Sequence, residues 1–239
     1  MLIAGLQKMS LVDFPGKVAC TVFTGGCNLR CPFCHNSELL ASPPAAMSGD
    51  ELFAFLEKRT GLLDGVCVTG GEPCLQKDLP DFLRRLRQLP FAVKLDTNGL
   101  FPDVLGTVLS EGLADYVAMD VKNSPERFAE TAGLSGCASG PMERFRESLS
   151  LLFSSSVPFE LRTTVVKQFH DRAAFEGIRS LLLPYIGRYG RKAPAYYLQP
   201  FRDRETVPYA GLTAPSESEL RAYAEILAPA ADHVTIRGI

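Results

Sequence analysis

The chain contains Val18-Ala19-Cys20-Thr21-Val22-Phe23-Thr24, followed at once by Gly25-Gly26-Cys27-Asn28-Leu29-Arg30-Cys31-Pro32-Phe33-Cys34-His35-Asn36. The first seven residues are almost continuously apolar, which is typical of a strand in a parallel sheet that is covered on both faces. Six later runs have the same character: Gly65–Thr69, Ala92–Asp96, Tyr116–Val121, Phe159–Val166, Ala195–Leu198 and Val234–Arg237. We therefore predict seven strands that are largely buried.

Longer stretches with helical periodicity separate these runs. Ser48-x-x-Glu51 and Ser216-x-x-Glu219 are capping boxes and predict helix starts, and Asp78 precedes another helix. Residues 142–153 and 173–183 form the later crossovers. Regular alternation of strands and helices predicts a parallel sheet with right-handed crossovers. Six such units, fewer than those of a complete barrel, predict an α/β fold of the partial (β/α)6 barrel type, with residues 1–239 as one domain.

The composition is that of an ordinary globular chain. Of the 239 residues, 46% are hydrophobic and 22% are charged, and the net charge is −2. These values allow a large apolar core and indicate no basic surface for nucleic acid. No stretch reaches the roughly 18–20 apolar residues of a membrane span, and the first residues lack the features of a signal peptide. We expect a cytoplasmic protein without nucleic-acid or membrane partners.

Three cysteines, Cys27, Cys31 and Cys34, follow the first strand with the spacing C-x3-C-x2-C. Iron–sulfur clusters are usually held by four cysteines. A group of three therefore predicts a [4Fe-4S] cluster in which one iron stays open to a further ligand. The alternative is a structural zinc site with a distant histidine, His170 or His233, as the fourth ligand.

Polar or glycine-rich segments also follow the next three strands. They are Thr69-Gly70-Gly71-Glu72-Pro73, Asp96-Thr97-Asn98-Gly99 and Met119-Asp120-Val121-Lys122. In parallel α/β folds the ligand binds at the carboxyl ends of the strands. We therefore expect these segments and the cysteine loop to form one active site.

The motifs resemble those of the radical S-adenosylmethionine (SAM) enzymes, which pair a three-cysteine loop with a Gly-Gly-Glu-Pro turn. The fuller pattern of Cys31-Pro32-Phe33-Cys34-His35-Asn36, Asp96-Thr97-Asn98-Gly99 and Asp120-Val121-Lys122 resembles the activating enzymes of glycyl-radical proteins. The segment Leu11-Val12-Asp13-Phe14-Pro15-Gly16-Lys17 resembles the activating proteins of anaerobic ribonucleoside-triphosphate reductases. The resemblance covers most of the chain, but its specific motifs end near Lys122.

The resemblance implies two cofactors. Cys27, Cys31 and Cys34 would bind the [4Fe-4S] cluster, and SAM would chelate the remaining iron. The residues expected to contact SAM lie in the cysteine loop and at the strand ends: Phe33, Cys34, His35, Gly70, Gly71, Glu72, Asn98, Asp120, Val121, Lys122, Arg162 and Gln199. No protein acid or base is assigned, because the radical chemistry belongs to the cofactors.

Two carboxylates at this edge, Asp96 and Asp120, are expected to repel unless a positive charge lies near them. We consider two alternatives: a bound cation held by Asp96, Thr97 and Asp120, or pairing of the carboxylates with Lys122. Arg162 lies within an apolar strand and needs an acidic partner there, either a side chain or the SAM carboxylate.

The remaining candidate residues have weaker signals. Cys20 and Cys67 lie in apolar strands and are predicted to be small buried side chains. Cys74 lies near the strand ends, and Cys137 lies apart from the other cysteines. We expect His170 and His233 on the surface. Arg202 occupies a position at which some related activating enzymes have a histidine.

The expected function is that of an anaerobic, oxygen-sensitive oxidoreductase. By resemblance, SAM is reductively cleaved to a 5′-deoxyadenosyl radical, which takes a hydrogen atom from a glycine of a partner enzyme. Anaerobic ribonucleotide reductase is the favoured partner, pyruvate formate-lyase or a related enzyme is the alternative, and a flavodoxin or ferredoxin is the expected electron donor.

Two other functions remain open. One is a radical SAM enzyme that acts on a small molecule such as a modified-base precursor, although the chain shows no extra substrate-binding segment. The other is a non-catalytic iron–sulfur or zinc protein. That function would require neither Gly70-Gly71-Glu72 nor polar ends on four strands.

Overall fold

The computed structural model describes residues 1–41, 43–134 and 140–238. Its strands form one eight-stranded sheet in chain order, β1 to β8. The strands are β1 Ile3–Ser10, β2 Ala19–Thr24, β3 Gly65–Gly70, β4 Ala92–Thr97, β5 Tyr116–Asp120, β6 Phe159–Val165, β7 Ala193–Pro200 and β8 Ala231–Ile236. Neighbouring strands from β2 to β8 are parallel.

Strand β1 differs from the other strands and was not predicted. It runs antiparallel to β2, with Gln7 opposite Thr21 and an irregular register. Only Ile3 and Ser10, at its two ends, are buried. A strand with one paired edge and little burial lacks the continuous apolar character by which β2 to β8 were recognised.

The helices cover the outside of the sheet. They are α1 Gly49–Glu57, α2 Leu79–Leu86, α3 Pro102–Ser110, α4 Phe128–Thr131, α5 Pro141–Ser154, α6 Arg172–Tyr189 and α7 Glu217–Leu227. Both predicted capping boxes are present, since Ser48 and Ser216 each exchange hydrogen bonds with the glutamate three residues later. Within the described parts of the chain, none of the helices has the length and apolar character needed to cross a membrane.

Six successive strand–helix units, beginning at β2 and ending with α7, confirm the predicted partial (β/α)6 barrel. The core residues of the central strands are fully buried, among them Val22, Val68, Leu95, Val117 and Leu161. All six parallel strands that begin these units end at the same edge of the sheet. The segments that follow them therefore meet there, and we call this edge the rim.

Candidate active site at the rim

The cysteine loop follows β2 and is fixed by backbone hydrogen bonds to distant segments. Gly26 N donates to Leu39 O at 2.7 Å, and Arg30 N donates to Ala132 O at 3.0 Å. Asn98 Nδ2, which follows β4, donates to Asn28 Oδ1 at 2.8 Å. These contacts within the protein hold the loop in place.

The three cysteines line one cavity at the rim. Cys31 is buried, whereas Cys27 and Cys34 are half-buried. Burial raises the pKa of the Cys27 thiol to about 11 and also raises the pKa of Cys31, where the charge of Lys122 acts in the opposite direction. Since metals bind thiolates, loading this site must release protons.

The donor set fits a four-iron cluster better than a zinc ion. In residues 1–41, 43–134 and 140–238, no three His, Cys, Asp or Glu side chains converge so as to hold a single metal ion. In a four-iron cluster each of the three cysteines would bind a different iron. The histidines of the zinc alternative are also unsuited: His170 has both ring nitrogens bonded to backbone groups, and His233 is exposed on β8.

Gly70 and Gly71 allow β3 and the cysteine loop to approach each other closely. Gly70 has a φ of 129°, and a Cβ atom there would lie 2.2 Å from Thr24 N. A Cβ at Gly71 would lie 2.1 Å from Gly26 O. The two glycines are therefore required by contacts within the protein itself.

Glu72 is 1% exposed, and its carboxylate connects two segments of the rim. It accepts hydrogen bonds from Cys74 N at 3.0 Å, Thr97 Oγ1 at 2.7 Å and Asn98 N at 2.7 Å. Burial raises its pKa, although these hydrogen bonds act in the opposite direction. Its side chain thus orders the turns after β3 and β4, while a contact with the amino group of SAM stays a prediction.

A chain of alternating charges crosses the rim from β4 to the segment after β5. It is Lys94–Asp96–Arg162–Asp120–Lys122. Arg162 Nη1 lies 3.0 Å from Asp96 Oδ2, Arg162 Nε lies 2.5 Å from Asp120 Oδ1, and Lys122 Nζ lies 2.9 Å from Asp120 Oδ2. Lys94 Nζ is bonded to Asp96 Oδ1. Burial alone would raise the pKa of both carboxyls, but the positive partners hold the pKa of Asp96 and Asp120 below its usual range.

The candidate cation site at Asp96, Thr97 and Asp120 stays a prediction, and its side chains also have partners within the protein. Both carboxylates already have cationic side chains as partners, and the Thr97 hydroxyl donates to Glu72. Among the described residues the expected repulsion is thus relieved by ion pairs. The structure agrees with the alternative of pairing, which involves Lys94 and Arg162 in addition to the predicted Lys122.

The loop after β7 closes the rim against the cysteine loop. His35 Nε2 lies 2.7 Å from Arg202 O, and its ring stacks on Phe201 with centroids 5.5 Å apart. Thr206 Oγ1 donates to His35 O at 2.7 Å, and Ser37 Oγ donates to Thr206 O. The Arg202 side chain instead donates to Gly238 O at 3.1 Å and does not line the cavity.

Comparison with known proteins agrees with this geometry. A family model described as the radical SAM superfamily matches residues 21–174. A Methanocaldococcus jannaschii protein, provisionally named a glycyl-radical enzyme activating enzyme, is 30% identical over the whole of this chain and 96% of its own length. The chain belongs to the radical SAM superfamily.

Two further proteins are similar to this radical SAM enzyme. The pyruvate formate-lyase-activating enzyme of Clostridium pasteurianum is 28% identical over 75% of this chain and 74% of its own. A radical SAM methyltransferase from Sphaerobacter thermophilus has a structure that superposes with a TM-score of 0.68, over 94% of this chain and 67% of that one, at 15% identity. The latter likeness shows the fold alone.

Nearly all residues predicted from the radical SAM motifs meet in the cavity. Its lining includes Cys27, Phe33, Cys31, Cys34, His35, Gly70, Gly71, Glu72, Asp96, Thr97, Asn98, Asp120, Lys122, Arg162 and Gln199. Val121 is the exception, and its contact with SAM stays a prediction. It is fully buried, its N–H donates to Arg162 O at 2.8 Å, and its carbonyl accepts from Thr163 Oγ1 at 2.7 Å.

Other predictions outside the cavity are partly confirmed. Cys20 and Cys67 are buried in strands as predicted, Cys74 is buried beside Glu72, and Cys137 lies outside the described residues. His170 was expected on the surface, yet it is 1% exposed, because it packs between β6 and the segment after β5.

Sequence reasoning missed two residues that organise this radical SAM site. Lys94 is 1% exposed and pairs with Asp96. Side chains two residues apart on a strand share a face, so the spacing of these two residues was a usable signal. His170 had no such signal, since its partners are distant in sequence.

Proposed function

We propose that this radical SAM enzyme is an activating enzyme that generates a glycyl radical on a partner protein, with residues 1–239 acting as one domain. The similarity to the M. jannaschii protein supports this proposal most strongly, because it extends over the whole chain and 96% of that protein.

The observation that carries the proposal is the meeting of three cysteines and the charged strand ends in one cavity. Cys27, Cys31 and Cys34 would hold the cluster, while Lys122 and Arg162 would face the carboxylate of SAM. When bound, these cofactors supply reductive cleavage of SAM to methionine and a 5′-deoxyadenosyl radical, which takes one hydrogen atom from a glycine Cα. The protein positions the reactants and excludes water.

Anaerobic ribonucleotide reductase is the partner that we favour, on the resemblance of segment 11–17. This segment joins β1 to β2 and therefore lies at the end of β2 opposite the cysteine loop. Leu11 and Val12 are 70% and 77% exposed. The similarity to a pyruvate formate-lyase-activating enzyme supports the other candidate partner. A flavodoxin or ferredoxin is the proposed electron donor.

The test measures 5′-deoxyadenosine formation by anaerobically reconstituted, dithionite-reduced protein, with anaerobic ribonucleotide reductase, with pyruvate formate-lyase or alone. We expect one product per added reductase and a glycyl-radical signal in electron paramagnetic resonance (EPR) spectra. An amount of product that does not change when either partner is added would contradict the activating function but would still agree with radical SAM chemistry. Absence of product from protein with a verified cluster would contradict both.

A further inference from the structure

His170 is a buried histidine that the proposed chemistry does not use. It lies in the loop between β6 and α6 and is 1% exposed. Its ring packs edge-on against Phe33, with centroids 6.4 Å apart, and is tilted by 37° to the ring of Phe175, with centroids 6.0 Å apart. Phe33 belongs to the cysteine loop, between Cys31 and Cys34. His170 therefore touches the part of the chain that carries the cluster ligands.

The two ring nitrogens of His170 have different backbone partners. Nε2 lies 2.8 Å from Lys122 O, and a carbonyl oxygen only accepts, so Nε2 carries the proton. Nδ1 lies 3.1 Å from Val166 N, which donates to it, and 3.2 Å from Val166 O. Because Val166 O already accepts from Phe169 N and His170 N, whereas Val166 N has Nδ1 as its acceptor, we assign Nδ1 as the unprotonated nitrogen. These partners fix the neutral imidazole in one tautomer.

The partner of Nε2 is the residue that ends the chain of charges at the rim. Lys122 Nζ lies 2.9 Å from Asp120 Oδ2, and its charge acts on the pKa of Cys31. The neighbouring Asn123 is also anchored, since its Nδ2 donates to Phe169 O at 2.9 Å. The segment that contains His170 thus fixes the position of the backbone at Lys122 and Asn123.

We infer that His170 is a positioning residue, which sets the place of the Lys122 ammonium relative to the cysteine loop and so supports SAM binding. The imidazole of His170 contacts the cysteine loop through Phe33, and it contacts Lys122 through the carbonyl oxygen of that lysine. The inference rests on the proposed function, because it assumes that the cavity binds the cluster and SAM.

Two amide variants separate the contacts of His170. In His170→Gln the amide reaches the position of Nε2 and keeps a donor for Lys122 O, whereas in His170→Asn it reaches the position of Nδ1 and keeps only the contact with Val166. We expect the SAM dissociation constant of His170→Asn to rise about tenfold, and that of His170→Gln to stay within about threefold of wild type. The EPR spectrum of the reduced cluster with SAM should change in parallel.

His233→Asn and His233→Gln are matched controls on an exposed histidine, and neither should alter SAM binding. Thermal unfolding of each variant shows whether it is folded. Equal SAM affinities in the two folded His170 variants, whether both weakened or both unchanged, would overturn the inference.

The ¹⁵N chemical shifts of the His170 ring in the wild-type protein give a test that needs no variant. A proton on Nε2 is expected, and a proton on Nδ1 or on both nitrogens would overturn the inference. Failure of wild-type protein with a verified cluster to bind SAM would overturn the proposed function instead, so the two failures are distinguishable.

Discussion

Arg162 Nε lies 2.5 Å from Oδ1 of Asp120, its register partner on the neighbouring parallel strand. The same guanidinium reaches Asp96 on the next strand with Nη1 at 3.0 Å. One side chain therefore ties together β4, β5 and β6 at the point where the cofactors are proposed to bind. Only a guanidinium offers donors in this forked arrangement.

Removal of this guanidinium should destabilise the fold and the site together. Arg162→Met leaves two largely buried carboxylates with fewer partners, so we expect the free energy of unfolding to fall by about 3 kcal/mol or more. Arg162→Lys keeps the charge but can face only one carboxylate well, and its loss should be smaller. Denaturant unfolding measures both variants.

Arg172 provides the control, since its pair with Glu176 is exposed on α6. Arg172→Met should change the unfolding free energy by less than about 0.5 kcal/mol. A similarly small effect of Arg162→Met would show that the ion pairs at the rim are not needed for stability.

Replacement of Gly71 should disrupt the cysteine loop. In Gly71→Ala the new Cβ would meet Gly26 O at 2.1 Å, so we expect a loss of at least about 2 kcal/mol in unfolding free energy and poor cluster loading. Gly187→Ala is the matched control on α6, where a Cβ has nothing within 4 Å. It should be neutral or stabilising by up to about 1 kcal/mol. Iron content and absorbance of the loaded proteins give the second measurement.

The cysteine loop predicts a clear division among the cysteines. Cys27→Ala, Cys31→Ala and Cys34→Ala should each lose most of the cluster absorbance and all SAM cleavage, because each would remove the ligand of one iron. Cys20→Ala removes a buried thiol within β2 and should keep both properties at a cost of about 1 kcal/mol in stability. Cluster loading of a loop variant equal to that of wild type would contradict the ligand assignment.

Buried histidines should make the fold less stable at acidic pH. Burial lowers the pKa of His170 and His35 from the ordinary 6.5, so the unfolded chain binds protons at a higher pH than the folded one. The free energy of unfolding is then greatest above pH 6.5 and falls as the pH drops below it. In His170→Gln the free energy of unfolding should fall less steeply with decreasing pH, and the contribution of His35 should remain. A pH dependence as steep as that of wild type would refute the effect of His170.

Much of the fold was predictable because a buried parallel strand can be recognised from its own apolar sequence. The apolar runs that predicted β2 to β8 need no distant partner to be recognised, and their order followed from the regular crossovers. The edge strand β1 was not predicted because only its two end residues are buried and it pairs along one edge with β2. Prediction from the local sequence therefore failed for β1, because its residues do not show the apolar pattern of a buried strand.

The candidate site also contains residues that the sequence predicted and residues that it did not. Cys27, Gly71 and Asp120 lie at strand ends, so topology alone brought them together. The partners of Asp96 and the burial of His170 depend on contacts between distant segments, which no local pattern specifies. Val121 lies outside the cavity because its side chain is buried in the core and both of its backbone groups are bonded to β6.

The contact between the loop after β7 and the cysteine loop has a consequence for how the protein is made. The hydrogen bonds of His35 and Ser37 reach residues that follow about 170 positions later in the chain. A nascent chain that ends before Arg202 cannot make any of them, although β2 to β6 have by then been synthesised. The contacts that hold the cysteine loop against this segment are therefore completed only near the end of translation, once Thr206 has been added.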